Sequence, residues 1–167
     1  MKPTTILAAA ALFVKTCTAD FWIYEAGGFG DVVPVTYFSF YHKAVGSCSD
    51  VGKGNDNYLP YDDVSKRKGI ACDGNGCEGG NPNEITRFEM NTDWGHYSES
   101  CYIEHQIGTS DMQSAAIYKD RGLGMYDTKN KKVGQCRTDR SKSWLCPGKG
   151  LPDAVSVFFC TTSVDKF

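Results

Sequence analysis

Few residues of this chain have the types and spacing that catalysis requires. Its three histidines stand far apart, at His42, His96 and His105, and none belongs to a His-Glu-x-x-His motif or a paired Cys-x-x-Cys zinc site. His105 alternates with Ile103 and Ile107, which favours a structural histidine on a half-buried strand. No Gly-x-Ser-x-Gly motif marks a nucleophilic serine. The sequence therefore predicts no cofactor, no metal centre and no catalytic serine.

Secreted ribonuclease is the main enzymatic alternative. RNA cleavage needs a base, an acid and a cation for the phosphate, which His42, Glu84 or Glu89, Arg87 and His96 are of the right types to supply. The order acid, arginine, histidine is similar to that of small fungal guanyl-specific ribonucleases, but the spacing differs. Arg87 and Glu89 would share one strand face, where an ordinary salt pair explains them equally well.

The segment that starts at Asp73 resembles the opening of a calcium loop, with Glu84 at its twelfth position. The pattern then fails, because Cys77 takes the fifth position and Glu78 replaces the glycine of the sixth. A disulfide turn is the better interpretation of this segment.

The N-terminus has the three parts of a secretory signal peptide. Lys2 is positively charged, Ile6 to Val14 is an unbroken apolar run, and small residues precede a cleavage point before Asp20. We therefore expect residues 1–19 to be a leader and residues 20–167 to form one extracellular domain. Removal of the leader leaves 16 basic and 20 acidic residues, a net charge of −4, which argues against nucleic acid or an anionic membrane as the main partner.

The cysteines that remain after cleavage predict a disulfide framework, as in other small secreted domains. The candidates are Cys48, Cys72, Cys77, Cys101, Cys136, Cys146 and Cys160. Seven is an odd number, so one thiol would stay free or pair with another molecule. Two local pairings have a geometric basis: Cys72 with Cys77 across a turn, and Cys136 with Cys146 around a polar loop. The overall connectivity is not readable from the sequence.

Short runs of β-branched and aromatic residues, separated by Gly, Asn and Asp, predict about eight strands and no helix longer than a turn or two. The predicted strands cover 20–24, 33–42, 85–90, 101–107, 114–118, 125–127, 132–136 and 155–161. We expect Gly27 to Asp31 to end the first strand, and Gly52 to Asn57 and Cys72 to Asn83 to form loops. This pattern indicates an all-β antiparallel barrel or sandwich stapled by disulfides.

The chain resembles small secreted β-barrel elicitors and effectors of plant-associated filamentous fungi. The stretches that carry the resemblance are Asp20 to Tyr24, Ser47 to Val51, Ala71 to Cys77, and Tyr118 to Thr128 followed by Val133 to Cys136. The resemblance implies secretion into the host apoplast and an effect on plant immunity. It transfers no active-site residue.

The sequence thus favours a non-enzymatic protein that binds a host extracellular protein. Loop character alone suggests Gly52–Asn57, Gly74–Asn83 and Arg121–Gly124 as its contact regions, with Gly74, Asn75, Gly76, Arg121 and Gly122 as candidate residues. One alternative is an inhibitor of papain-like apoplastic proteases, since a rigid, disulfide-flanked loop loses little entropy on binding.

Overall fold

The computed structural model describes residues 19–29, 34–51, 55–65, 67–92, 113–146 and 153–162. These residues form eleven β-strands and two short 3-10 turns, at Pro82–Glu84 and Lys119–Arg121, with no α-helix among them. The strands are β1 Ala19–Phe29, β2 Pro34–Tyr41, β3 Asn55–Tyr58, β4 Pro60–Tyr61, β5 Gly69–Gly74, β6 Ile85–Thr92, β7 Gln113–Tyr118, β8 Gly124–Asp127, β9 Lys132–Thr138, β10 Ser143–Trp144 and β11 Asp153–Thr162. No helix of the described residues is long and apolar enough to cross a membrane.

One sheet curls into a nearly closed barrel, which confirms the predicted fold class. Its strand order is β3-β2-β1-β11-β9-β8-β7-β6-β5-β4, and β10 pairs with β11 off this path. All pairs are antiparallel except β4 with β5. Segment 55–61 brings the two edges together, because its first part, β3, pairs with β2 and its second part, β4, pairs with β5. Closure of this kind leaves few strand edges exposed.

The barrel interior is filled mainly by aromatic side chains. Phe88 lies at the centre, with its ring 5.0 Å from Phe38 and 5.6 Å from Phe158, both edge to face. Phe21 and Phe40 extend the same cluster, and all five rings are fully or almost fully buried. Edge-to-face contacts add to the large apolar area that each ring buries. The alternation of the strands explains this core, since every second residue points inward.

A second, smaller apolar layer covers the outside of β1 and β11. Tyr24 and Ala154 from these strands pack against Val45 and Val51 of the segment that follows β2. The Tyr24 hydroxyl accepts a hydrogen bond of 3.1 Å from the backbone N–H of Val45, and the Trp144 indole N–H donates to the Val45 carbonyl at 2.9 Å. The segment after β2 is thereby fixed on the barrel surface.

Three disulfides connect the six described cysteines. The predicted Cys72–Cys77 pairing is confirmed. The predicted Cys136–Cys146 pairing is wrong, because Cys136 bonds to Cys160 and Cys146 bonds to Cys48.

The strand register explains the correction. Cys136 and Cys160 are direct neighbours on β9 and β11, with Cα atoms 4.1 Å apart. Cys146 lies beyond β10, next to the segment after β2, where it meets Cys48 and ties this segment to the barrel. The seventh candidate, Cys101, lies outside the described residues.

Most of the predicted strands are present, with three informative differences. Gly27 does not end β1, which continues to Phe29 in register with β2. β3 and β5 occupy residues that were predicted to form loops. β3 begins at Asn55, inside the predicted loop Gly52–Asn57, because it pairs with β2, and β5 extends to Gly74, past the start of the predicted loop at Cys72. Ile85 and Phe88 are three positions apart, so simple alternation would place them on opposite faces of β6. A β-bulge at Thr86 turns Ile85 to the core side, where Phe88 also lies. The predicted strand at 101–107 lies outside the described residues.

Candidate binding surface

The hairpin between β7 and β8 holds an exposed arginine in a defined position. Lys119–Arg121 form a 3-10 turn that ends at Gly122, whose φ of 62° lies in the left-handed region. Leu123 has a similar φ of 60°. Its N–H donates a 2.9 Å hydrogen bond to the Tyr118 carbonyl and closes the loop. Glycine suits the left-handed position because it has no Cβ that would crowd the following carbonyl.

The Arg121 guanidinium lies over two tyrosine rings. Its Cζ is 4.7 Å from the ring centroid of Tyr118 and 4.8 Å from that of Tyr126, and the two rings are 6.0 Å apart. Nη1 also donates a 2.5 Å hydrogen bond to the side-chain carbonyl of Asn130. We call these four residues, Tyr118, Arg121, Tyr126 and Asn130, the arginine clamp. Both cation–π contacts and the hydrogen bond restrict the rotamers of a side chain that otherwise loses much entropy on binding.

Neighbouring turns hold the parts of the clamp in place. Asp127 Oδ1 accepts from the backbone N–H of Lys129 at 2.9 Å and of Lys131 at 2.8 Å, which fixes the β8–β9 turn that carries Asn130. On the other side, Gln135 Nε2 donates to the Gly122 carbonyl at 2.6 Å. The clamp is therefore supported by backbone contacts at both ends of β8.

The surface around the clamp is basic. Residues 118–132 contain five basic side chains and two acidic ones, although the chain as a whole has a formal net charge of −2. The basic side chains, all exposed, are Lys119, Arg121, Lys129, Lys131 and Lys132. Of the two acids, Asp127 is occupied by its own turn. Within the described residues, none of these five cations forms a salt bridge, in contrast to Arg87, which is 2.8 Å from Asp73.

The other predicted loop, residues 74–83, which we call the glycine loop, is packed on itself. A Cβ atom on Gly74 would stand 2.1 Å from the Glu84 carbonyl oxygen, and one on Gly76 would stand 2.3 Å from that of Asn81. Both glycines are therefore required for close backbone approach. Asn75 lies between them, is exposed, and is the one candidate residue of the three that is not glycine.

A buried carboxylate joins the glycine loop to the barrel. Glu25 of β1 is 7% exposed and accepts a hydrogen bond from the Gly79 N–H. Burial raises the pKa of Glu25, while this hydrogen bond and the charge of Arg140 oppose the rise. Arg140 also donates to the Gly79 carbonyl at 3.4 Å. The loop is thus held at Gly79 by Glu25 and at Cys77 by the disulfide to Cys72 of β5.

An aromatic row crosses the outer face of the barrel on another set of strands. Arg137, Phe159, Trp22 and Tyr41 are direct cross-strand neighbours on β9, β11, β1 and β2. Arg137 lies 4.6 Å above the Phe159 ring, whose centroid is 4.5 Å from that of Trp22. Burial alone would raise the pKa of Asp139, but hydrogen bonds from Ser141 and Trp22 and the nearby charge of Arg137 lower it. Arg137 therefore has an acidic neighbour that interacts with it.

The described ribonuclease candidates lie in two parts of the barrel: Glu84, Arg87 and Glu89 on or just before β6, and His42 after β2. Arg87 and Glu89 lie together on β6, 3.5 Å apart, as an ordinary salt pair would place them. His42 follows β2. On the shorter way around the barrel, the β3–β4 segment and β5 lie between β2 and β6. Burial lowers the pKa of His42. His96 lies outside the described residues, as does His105.

The resemblance to a calcium loop has no counterpart in the described geometry. Asp73, which would open that loop, accepts a hydrogen bond from Arg87 Nε at 2.8 Å. No group of three potential metal ligands occurs among the described residues. Of the remaining predicted contact region, residues 52–54 lie outside the described part, while Asn57 accepts a hydrogen bond of 2.7 Å from Ser39.

Comparisons of the chain with protein-family models, with curated proteins and with solved structures find no match. Loop character predicts Arg121 and Gly122 as contact residues but does not identify Tyr118, Tyr126 and Asn130. The sequence signal for the tyrosines is their spacing, three residues before and five residues after an arginine within a predicted hairpin.

Proposed function

We propose that this protein is a secreted effector or elicitor that binds an extracellular protein of a plant host and modulates plant immunity without catalysis. The observation that carries the proposal is the arginine clamp. Tyrosine and arginine are among the residues that contribute most to protein–protein affinity, above all where they are held in place before binding. Arg121 lies against Tyr118 and Tyr126 and is exposed at the end of a hairpin.

The scaffold supports this function. Three disulfides and a nearly closed barrel fix the loops that connect the strands. Disulfides of this density are typical of oxidising, extracellular compartments, and the expected signal peptide and the resemblance to fungal effectors agree with that location. Loops on a rigid scaffold are the usual place for recognition residues.

Affinity capture from plant extracellular fluid tests the proposal. The bait is the oxidised protein, and a reduced, alkylated sample serves as its control. We expect one host protein to be retained by the oxidised bait and lost with the double variant Tyr118→Ser, Tyr126→Ser. Absence of any specific partner in fluid from several plants would contradict the proposal and direct attention to RNA and glycan substrates.

Inhibition of a papain-like protease is a second candidate, and the glycine loop favours it. The Cys72–Cys77 disulfide ties Cys77 of the loop to β5, and Glu25 holds Gly79, so the loop has the preorganisation that inhibitors need. Labelling of extracellular cysteine proteases with an active-site probe separates this function from plain recognition. Inhibition predicts less labelling, whereas recognition through the clamp predicts unchanged labelling.

A further inference from the structure

We infer that the arginine clamp and its surrounding lysines receive an acidic peptide segment of the partner protein. This inference rests on the proposed function and adds the chemistry of the partner. The surface on which it depends is confined to the β7–β8 hairpin, β8 and the β8–β9 turn.

The positive charge around the clamp is not compensated by ion pairs. Arg121 and the four lysines around the clamp, Lys119, Lys129, Lys131 and Lys132, are exposed, and none of these five cations forms a salt bridge with a described carboxylate. Another arginine of the same sheet does have acidic partners. Arg87, which pairs across strands with Tyr118, contacts both Asp73 and Glu89. A basic surface on an otherwise acidic protein attracts and orients an acidic partner.

The orientation of the guanidinium favours a carboxylate over a stacked base. Because Arg121 lies over both tyrosine rings, its guanidinium already covers one face of each ring. A nucleic acid base that binds by stacking needs an open ring face, so the clamp is poorly suited to it. A guanidinium that rests on aromatic rings keeps its N–H donors at its edge, where a carboxylate can accept two parallel hydrogen bonds. The hydrogen bond to Asn130 involves only Nη1 of the guanidinium.

The cations are spread along β8. Lys119 lies in the turn before β8, Lys129 and Lys131 lie in the turn after it, and Lys132 begins β9. Arg121 bridges the two turns through its contact with Asn130. β8 has four residues and is therefore about 13 Å long. An extended peptide of about four residues spans that distance. Several carboxylates within one short segment match the spacing of the cations better than a single carboxylate would.

Fluorescence anisotropy with a fluorescein-labelled hexaglutamate peptide tests the inference, with a hexaglutamine peptide as the uncharged control. We expect the wild-type protein to bind hexaglutamate and not hexaglutamine, and Arg121→Ala to weaken binding about tenfold, as the loss of a charge-assisted hydrogen-bond pair requires. Arg121→Lys should recover only part of the affinity, because lysine retains the charge but lacks the planar fork.

Arg67→Ala is the matched control variant. Arg67 is also an exposed arginine over a tyrosine, with its Cζ 3.9 Å from the Tyr61 ring, but it follows β4, four positions away from β8 in the sheet. Its replacement should leave hexaglutamate affinity within about twofold. Equal effects of Arg121→Ala and Arg67→Ala, or equal binding of hexaglutamine, would overturn the inference. Thermal unfolding of both variants verifies that each is folded.

Competition separates other occupants of the clamp. Unlabelled oligogalacturonate or single-stranded RNA that displaces hexaglutamate at lower concentration than the peptide itself would overturn the choice of a peptide. The outcome is also distinguishable from a failure of the proposed function. If the oxidised bait captures a host protein equally well with Arg121→Ala, the protein is a binder and only the clamp is wrong. If the bait captures nothing but hexaglutamate binds at Arg121, the clamp is right and the proposed host partner is wrong.

Discussion

The glycine loop and the arginine clamp look alike in sequence, since both combine turns, glycines and polar residues, but their glycines have opposite uses. In the glycine loop, Gly76 and Gly80 allow close contact between backbone segments, so the loop packs against itself. In the clamp hairpin, Gly122 has open space around it and serves only to turn the chain. Glycine permits close backbone packing in the glycine loop, whereas in the clamp hairpin it permits the turn that leaves the neighbouring Arg121 exposed.

The largest effect that we expect from a single substitution separates these two uses. Gly76→Ala should lower the free energy of unfolding by about 3 kcal/mol, because a Cβ would meet the Asn81 carbonyl oxygen at 2.3 Å and the loop would have to open. Urea denaturation of the oxidised protein measures this loss. Gly79→Ala is the control in the same loop: it has a φ of 74° but nothing near its Cβ, so it should cost only about 1 kcal/mol. Equal losses for the two variants would mean that packing does not define the glycine loop.

The second effect concerns the disulfide that ties the glycine loop to β5. Cys72 and Cys77 are five positions apart, so their disulfide restricts the unfolded chain little. The double variant Cys72→Ala, Cys77→Ala should lower the free energy of unfolding by about 2 kcal/mol. The double variant Cys48→Ala, Cys146→Ala is the comparison, since it removes a bridge across 98 positions and should cost about 4.7 kcal/mol. A reversed order would show that native packing, rather than loop entropy, sets the value of these bridges.

The fold class was predictable because the strands that matter most have strong local signals. β2, β6 and β11 are rich in aromatic or β-branched residues, and their alternation indicates one buried face. β5 was not predictable in the same way, because Gly-Ile-Ala-Cys-Asp-Gly has glycines at both ends and only four residues between them. Its strand conformation depends on pairing with β6, which is a tertiary contact.

The disulfides divide along the same line. Cys72–Cys77 follows from a local turn, whereas Cys136–Cys160 requires the knowledge that β9 and β11 are neighbours and that β10 leaves the sheet path. The clamp residues are also brought together by strand pairing. Loop character identifies Arg121 as exposed, but the register of β7 with β8 brings Tyr118 and Tyr126 to one side of it. The sequence therefore predicts which residues face solvent better than it predicts which of them meet.

A smaller effect is expected in the clamp hairpin. Gly122→Ala should lower the free energy of unfolding by about 1 kcal/mol, because alanine is strained at a φ of 62° although no atom obstructs its Cβ. Gly122→Asn should cost less, since asparagine tolerates the left-handed region. Urea denaturation ranks the two variants. If Gly122→Ala lowered the free energy of unfolding as much as Gly76→Ala, the hairpin would be packed against itself like the glycine loop. The two regions would then not differ in their use of glycine.

The smallest effect concerns the carboxylate that anchors the glycine loop, and it is a change with pH. Because burial raises the pKa of Glu25 in the folded protein above its unfolded value, the native state binds more protons between these two values. The contribution of Glu25 to stability is therefore fully present below the unfolded pKa and is lost as the pH rises through the folded pKa. Glu25→Gln has no such proton to lose, and its amide oxygen can still accept from Gly79. Urea denaturation from pH 4 to pH 7 should show a smaller decline in stability for the variant than for the wild type. Parallel pH profiles would contradict the prediction, because they would mean that Glu25 has the same pKa in the folded and unfolded states and that its hydrogen bond with Gly79, together with Arg140, balances its burial.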